Sequence, residues 1–399
     1  MTSIQAERTI GEVTAPSPPA DTSGTGRLPS LTGLRFIAAL MVFAFHGSLL
    51  FVFRDPSVQM RYMTDVATAG FVGVSFFFVL SGFVLTWSAR PGGGAAAFWR
   101  RRLVRIAPNH VVTLAAALVL LAWAGQASGI PQALTNLVLL QSWVPDITYV
   151  GSGNDVSWSL SVEMLFYLSF PLLFALVRRI RASRLWYWAG GTAAAVVLLP
   201  LAARALLPDN PHFIWGPASF TQIWSVYEFP LSRSLEFVLG MLLARIVLTG
   251  RWVRVGVWPA ALLAAGAYIA SLHAPFLFRF AAVTVIPLGI LIAAAASADV
   301  AGRRTVLSTR PMVWLGEISF AFYMVHKLVL QFGHLAFGRI PNHMGGVSGP
   351  AWSTPGGAAF LAGCLLVSLL LAWGLSVAIE RPLVRRWSSR RTQREELHA

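Results

Sequence analysis

The chain has 399 residues, 56% of them hydrophobic and 12% charged, with a mean hydropathy of +0.65 and a formal net charge of +15. A soluble protein of this length needs far more charge to stay in solution, so the composition points to an all-α, polytopic integral membrane protein. A strongly basic chain can also be a nucleic-acid binder; that class is set aside because the arginines, taken in order, fall in loops on one side of a membrane.

Residues 1–30 are rich in Pro, Ser, Thr and Gly and hold no apolar core. They are predicted to be a disordered cytoplasmic lead with no cleavable signal sequence. From there, apolar runs of about 20 residues, the length that crosses a ~30 Å hydrocarbon core, predict about ten spans. They fall near 34–53, 70–88, 108–124, 158–177, 185–203, 233–250, 255–273, 279–298, 312–335 and 356–379. Between the third and fourth, residues 125–157 lack Lys and Arg and contain ALTNLVLLQSWV, too short to span and predicted to be re-entrant or interfacial. Residues 204–232 contain DNPHFIWGPASF, with Pro, Trp and Phe suited to the outer interface. No internal repeat suggests a transporter of two inverted halves. The single cysteine, Cys364, lies in the last span, which excludes disulfides and zinc–thiolate sites and predicts an inert buried thiol; no metal is expected. Residues 31–386 are predicted to form one transmembrane domain, followed by a basic cytoplasmic tail over 387–399 too small for a second domain.

With a cytoplasmic N-terminus, only Arg54, Arg61, Arg204, Arg279 and Arg339 fall outside, and Arg35, Arg233 and Lys327 fall within spans. The remaining basic residues are cytoplasmic. The positive-inside rule and an even number of spans therefore put both termini in the cytoplasm, and the cell membrane is the expected location.

An ionisable side chain inside a span costs roughly 2.5–3.5 kcal/mol at the helix centre on insertion scales, so each one is a functional candidate. They are Arg35, His46, Glu163, Arg233, Glu236, Glu317, His326 and Lys327. Arg35 and His46 are almost three whole turns apart, on one helix face and separated by about 16 Å along the axis. This places Arg35 at the cytoplasmic mouth and His46 at or beyond mid-membrane, where a neutral imidazole is suited to act as a general base towards a hydroxyl. The plain alternative is a histidine bonded to a neighbouring helix with Arg35 as an interface anchor. FWRRRLVRIAP (98–108) opens the third span, and Arg101, Arg102 and Arg105 project together at helical spacing. Guanidinium forks bind phosphates, although cytoplasmic loops are arginine-rich in any case. In NDVSWSLSVEMLFYLSFP, Trp158 opens the fourth span and Glu163 and Tyr167 share a face; Glu163 either fixes the tautomer of His46 or pairs with an arginine as a strut. Arg233 and Glu236 are three apart and predicted to pair, as structure or as part of a polar cavity. In GEISFAFYMVHK, Tyr323 and His326 share a face, and His326 lines the same cavity or bonds a neighbouring helix.

Taken in order, LTGLRFIAALMVFAFH, GFVGVSFFFVLSGFVL, FWRRRLVRIAP, WSLSVEMLFYLSFP, RSLEFVLG and ISFAFYMVH resemble the integral-membrane acyltransferase 3 family over nearly the whole chain. The resemblance implies transfer of an acyl group from cytoplasmic acyl-CoA to a hydroxyl-bearing acceptor. His46 would be the catalytic base, Arg35 its partner in a donor channel, and Arg102 and Arg105 the holders of CoA phosphates. His110 stands where the family pattern leads one to expect an aromatic residue. The overall run of residues looks most like stand-alone actinomycete members that acylate macrolide antibiotics; cell-surface glycans or other secondary metabolites are the alternative acceptors. A membrane transporter or flippase is the competing class.

Overall fold

A computed structural model describes residues 26–89, 94–214, 216–341 and 347–388. The lead expected over 1–30 lies outside them up to residue 25, and the tail expected over 387–399 lies outside them beyond Ser388. The described chain is helical apart from its connecting segments, two isolated bridges (Phe53 with Trp352, His212 with Ser219) and an antiparallel pairing of Ile340–Pro341 with Val347–Ser348.

In chain order the first helices are α1 (Pro29–Ser48), α2 (Pro56–Asp65), α3 (Ala69–Trp87), α4 (Ala95–Trp123), α5 (Ile130–Leu137) and α6 (Ile147–Val150). There follow α7 (Trp158–Arg179), α8 (Leu185–Leu206), α9 (Phe220–Tyr227), α10 (Pro230–Leu248) and α11 (Val257–His273). The last are α12 (Val285–Val300), α13 (Arg310–Ala336), α14 (Thr354–Leu375) and α15 (Arg381–Ser388). Seven segments, holding α1, α3, α4, α7, α8, α13 and α14, are long and apolar enough to cross a bilayer. The other three predicted spans are helical too. α11 and α12 are shorter, at 17 and 16 residues, and α10 carries Arg233, Glu236 and Arg245 within its 19. The protein is an all-α, multi-pass membrane protein.

Its periphery has the character of a lipid-facing surface. In α14 the buried residues Gly357, Cys364, Ser368 and Ala372 form one stripe, while Leu366, Leu370 and Trp373 point outward. Small residues on the packed side and large apolar ones on the other suit a helix packed against α13 and solvated by lipid. The centre is α3, buried on nearly all sides and packed most extensively against α10. There Gly82 faces the Phe237 carbonyl and Gly240 faces the Val79 carbonyl, so that a Cβ on either would collide with the other helix's backbone.

α1 differs from its predicted bounds by about five residues, beginning at Pro29 and ending at Ser48. Proline is favoured in the first turn because its missing N–H is unpaired there anyway. The far end stops early because α2 caps it. Gln59 Nε2 donates to the Ser48 carbonyl at 2.8 Å, and Tyr62 OH donates to the Ala44 carbonyl at 2.8 Å. The Gln59 bond satisfies a carbonyl that a longer helix would have used itself. α2 is held in turn by Asp55, whose Oδ1 accepts from the Ser57 and Val58 amides. His46 consequently stands in the last turn of α1, nearer the end of the span than its sequence position suggests.

Candidate active site

Two polar centres lie at opposite ends of one set of helices. The first is built on α4, α7 and α1. α4 begins at Ala95, well before the predicted 108, so the arginines of FWRRRLVRIAP sit on the helix itself, with Pro108 inside it. The Arg102 guanidinium lies over the rings of Phe98 and Tyr167, at 5.5 and 6.0 Å. Arg105 Nε lies 3.9 Å from Glu380 Oε1, and Asn109 Nδ2 donates to Glu380 Oε2 at 3.3 Å. Glu380 closes a five-residue π turn, Ser376–Glu380, between α14 and α15 that packs against α4. Tyr167 OH donates to Glu163 Oε2 at 3.0 Å, one turn away on α7.

Arg35, Arg102, Arg105, Glu163 and Tyr167 line one cavity of about 140 Å³. Its apolar wall comes from α3, and at its inner end stand Phe77, Ser159 and Tyr323. Arg101 is exposed and does not line it. With three guanidinium groups against the carboxylates of Glu163 and Glu380, this mouth is suited to an anionic ligand.

The second centre is a histidine pair. His46 Nδ1 lies 2.9 Å from His326 Nε2, and His326 Nδ1 donates to the Tyr323 carbonyl at 2.7 Å. His326 is completely buried on α13, stacked on Phe322 at 5.8 Å between ring centroids. Beside it, Lys327 pairs with Asp155, and Asn154 Nδ2 donates to the Met324 carbonyl at 2.9 Å. These bonds hold the segment before α7 onto α13. Glu228, between α9 and α10, is buried with Oε2 unpartnered among the described residues. Burial, and to a lesser extent the charge of Asp155, push its carboxyl up to about 8.

Tyr323 joins the two centres. Its ring faces Phe77 at 6.1 Å, its hydroxyl bonds Ser159 Oγ at 2.9 Å, and it donates to the Val156 carbonyl at 3.1 Å. Its own carbonyl carries His326. The side chain thus ends the arginine-lined cavity while the backbone begins the histidine pair.

Glu163 lines the arginine cavity and does not serve as the partner of His46, and the remaining candidates lie outside that cavity. Glu163 is bonded to Tyr167 on the arginine side, and the partner of His46 is His326. Trp158 is buried between Phe78 and Tyr227, with ring centroids at 6.2 and 4.7 Å. Arg233 Nη2 lies 2.9 Å from Glu236 Oε2 and donates to Ser75 Oγ at 3.1 Å, both side chains almost wholly buried between α3 and α10. Glu317 lies 3.8 Å from Arg381, exposed at the arginine end. Sequence reasoning missed Glu380, Asp155, Ser159 and Glu228. For Glu380 and Asp155 a signal existed: an acidic residue at a span end, opposite a basic residue on another.

The sequence pattern described as an acyltransferase domain matches residues 28–375. The chain is 41% identical over 379 residues to the acyltransferase MdmB of Streptomyces mycarofaciens, covering 92% of this chain and 94% of that protein. It is 24% identical over 332 residues to the peptidoglycan O-acetyltransferase OatA of Listeria monocytogenes, covering 76% of this chain and 49% of the relative. The O-acetyltransferase OatA of Staphylococcus aureus is 22% identical over 351 residues, and the chain again spans about half of it, 53%. No solved structure matches.

Proposed function

This chain belongs to the acyltransferase domain family, and we propose that it moves an acetyl or other short acyl group from cytoplasmic acyl-CoA to a hydroxyl of a macrolide, with His46 as general base. The observation that carries this reading is the arginine-lined cavity ending at Tyr323, the residue whose carbonyl holds the histidine pair. Arg102 and Arg105 hold the CoA phosphates, Arg101 adds charge at the rim, and Arg35 guides the donor inward. At about 140 Å³ the cavity is smaller than the roughly 300–1,000 Å³ of usual ligand sites. A thin pantetheine arm suits it, and the nucleotide stays outside at the arginines. The ~16 Å between Arg35 and His46 is of the order of that arm's length.

In the transfer step the acceptor oxygen attacks the thioester carbonyl as its proton passes to His46. The tetrahedral intermediate then expels the CoA sulfur, which takes the proton back from the imidazolium. Glu163 and Tyr167 keep the arginines in place along the donor path. A macrolide is proposed as acceptor from the likeness to stand-alone actinomycete members, and the high coverage of the Streptomyces relative supports it. The arginine end is assigned to the cytoplasm, in keeping with the positive-inside distribution of charge, and the membrane is taken to be the cell membrane. A cell-surface glycan is the second acceptor class, favoured by the relatives named O-acetyltransferases.

The test is mass spectrometry of the purified protein offered acetyl-CoA and longer donors with a panel of macrolides and sugars. An acylated macrolide is expected, and His46→Ala should abolish it. Arg102→Ala with Arg105→Ala should raise KM for acyl-CoA about 10- to 100-fold while leaving KM for an acyl pantetheine nearly unchanged. Ester formation by His46→Ala, or solute movement without any donor, would overturn the reading.

A further inference from the structure

We propose that His326 is the positioning residue that fixes the tautomer of His46, keeping its proton on Nδ1 and leaving Nε2 as the bare nitrogen that receives the acceptor's proton. The inference rests on the reading of His46 as base and adds the residue that makes one of its two nitrogens available.

Three groups set the proton's place. The Tyr323 carbonyl can only accept, so His326 Nδ1, 2.7 Å away, carries a hydrogen. A neutral imidazole has one N–H, so His326 Nε2 presents a lone pair. The contact of 2.9 Å between that nitrogen and His46 Nδ1 then requires the hydrogen to sit on His46. Neutral His46 is left with a lone pair on Nε2 alone. The carbonyl at one end of the chain decides the proton position at the other.

The opposite assignment needs His326 as an imidazolium, donating from both nitrogens. His326 is completely buried, against the rings of Phe43 and Phe322, and Lys327 is the next residue. Among the described residues no carboxylate bonds either ring. A buried cation without an anion is costly, so the neutral pair stands. The stack on Phe322, with planes 16° apart, and the Tyr323 bond also keep the His326 ring from turning.

During transfer the acceptor's O–H bond breaks and its proton forms the Nε2–H bond of His46. The imidazolium so made keeps its Nδ1–H on His326, and Nε2 later returns its proton to the departing sulfur. His326 neither gains nor loses a proton. It acts through His46 and touches no substrate.

A purely packing role for His326 predicts something different, which three substitutions separate. In His326→Gln the amide reaches the place of the imidazole Nε2 and can accept from His46. In His326→Asn it reaches only the place of Nδ1, keeping the Tyr323 bond and abandoning His46. His326→Ala loses both. With the full-length protein in detergent, kcat of the Asn and Ala variants should fall by about 10²–10³-fold, and Gln should stay within about tenfold of wild type. KM for acetyl-CoA should remain within about twofold in all three. Imidazole nitrogen NMR of the wild-type protein should show His46 protonated on Nδ1 and bare on Nε2. Equal kcat for Asn and Gln, or a wild-type His46 protonated on Nε2, would overturn the proposal, and the NMR arm decides even where a variant does not fold. If His46→Ala retains activity, the base assignment itself fails. If that variant is inactive while His326→Asn works normally, only the present inference fails.

Discussion

Glu228 shows at the scale of one side chain how burial becomes a pH dependence. Its carboxyl lies at about 8, against an ordinary value of 4.5, mainly because burial penalises the charged form and further because Asp155 is near. The folded protein therefore holds a proton that the unfolded chain has already released between about pH 4.5 and 8. Stability is greatest below that window, falls by up to about 1.4 kcal/mol per unit across it, and levels off above. Thermal unfolding in detergent from pH 5 to 9 should show that decline, and Glu228→Gln should flatten it; an unchanged slope in the variant would assign the decline to another group. Glu228 also marks what the sequence conceals at this scale. Arg35 and His46 stand out by rule, since a span rarely tolerates such residues, and their interval follows from helix geometry alone. That His46 bonds His326 depends on how α1 and α13 cross, which no local pattern encodes.

At the scale of elements, the predicted spans recur as helices because apolar runs of bilayer length have few other solutions. Their ends moved where side chains from another element intervened. α1 stops at Ser48 because Gln59 of α2 takes its carbonyl, and α4 starts early because arginines are good helix formers whose charges reach water at the end of the span. The α3–α10 crossing is the contact most exposed to a single change. Gly82→Ala or Gly240→Ala places a methyl group against the opposing backbone carbonyl, which no rotamer relieves. Either should cost about 3 kcal/mol, seen as a lower unfolding temperature and reduced yield from the membrane. Gly190→Ala and Gly363→Ala, where a Cβ meets nothing, should be silent by the same measure. A tolerated Gly82→Ala would mean the helices cross with more room than the structure gives them.

For the whole molecule, the asymmetry of arginine was the most legible feature, and it underlies the orientation proposed for the cavity. Arg102, Arg105 and Arg381 gather at one end of the bundle, and Asp155, Lys327 and the histidine pair at the other. On the proposed orientation, tags at either end of the chain should survive protease added outside intact cells and be lost after permeabilisation. Cleavage of a tag in intact cells would reverse the orientation and move the donor mouth outward. Of the cavity's inner end only Tyr323 was legible in the sequence, because Phe77 and Ser159 reach it from two other helices far apart in the chain.

The pair in α10 bears on how the protein is made. Arg233 is 1% exposed and finds Glu236 on its own helix, yet Ser75, to which it donates, and the Phe78 ring beneath it belong to α3. Released alone into lipid, α10 would carry a half-solvated ion pair into hydrocarbon. Synthesis from the N-terminus supplies the remedy, since α3 leaves the ribosome first and waits in the bilayer as a ready receptor. The order of the helices along the chain is in this sense also a schedule for their assembly.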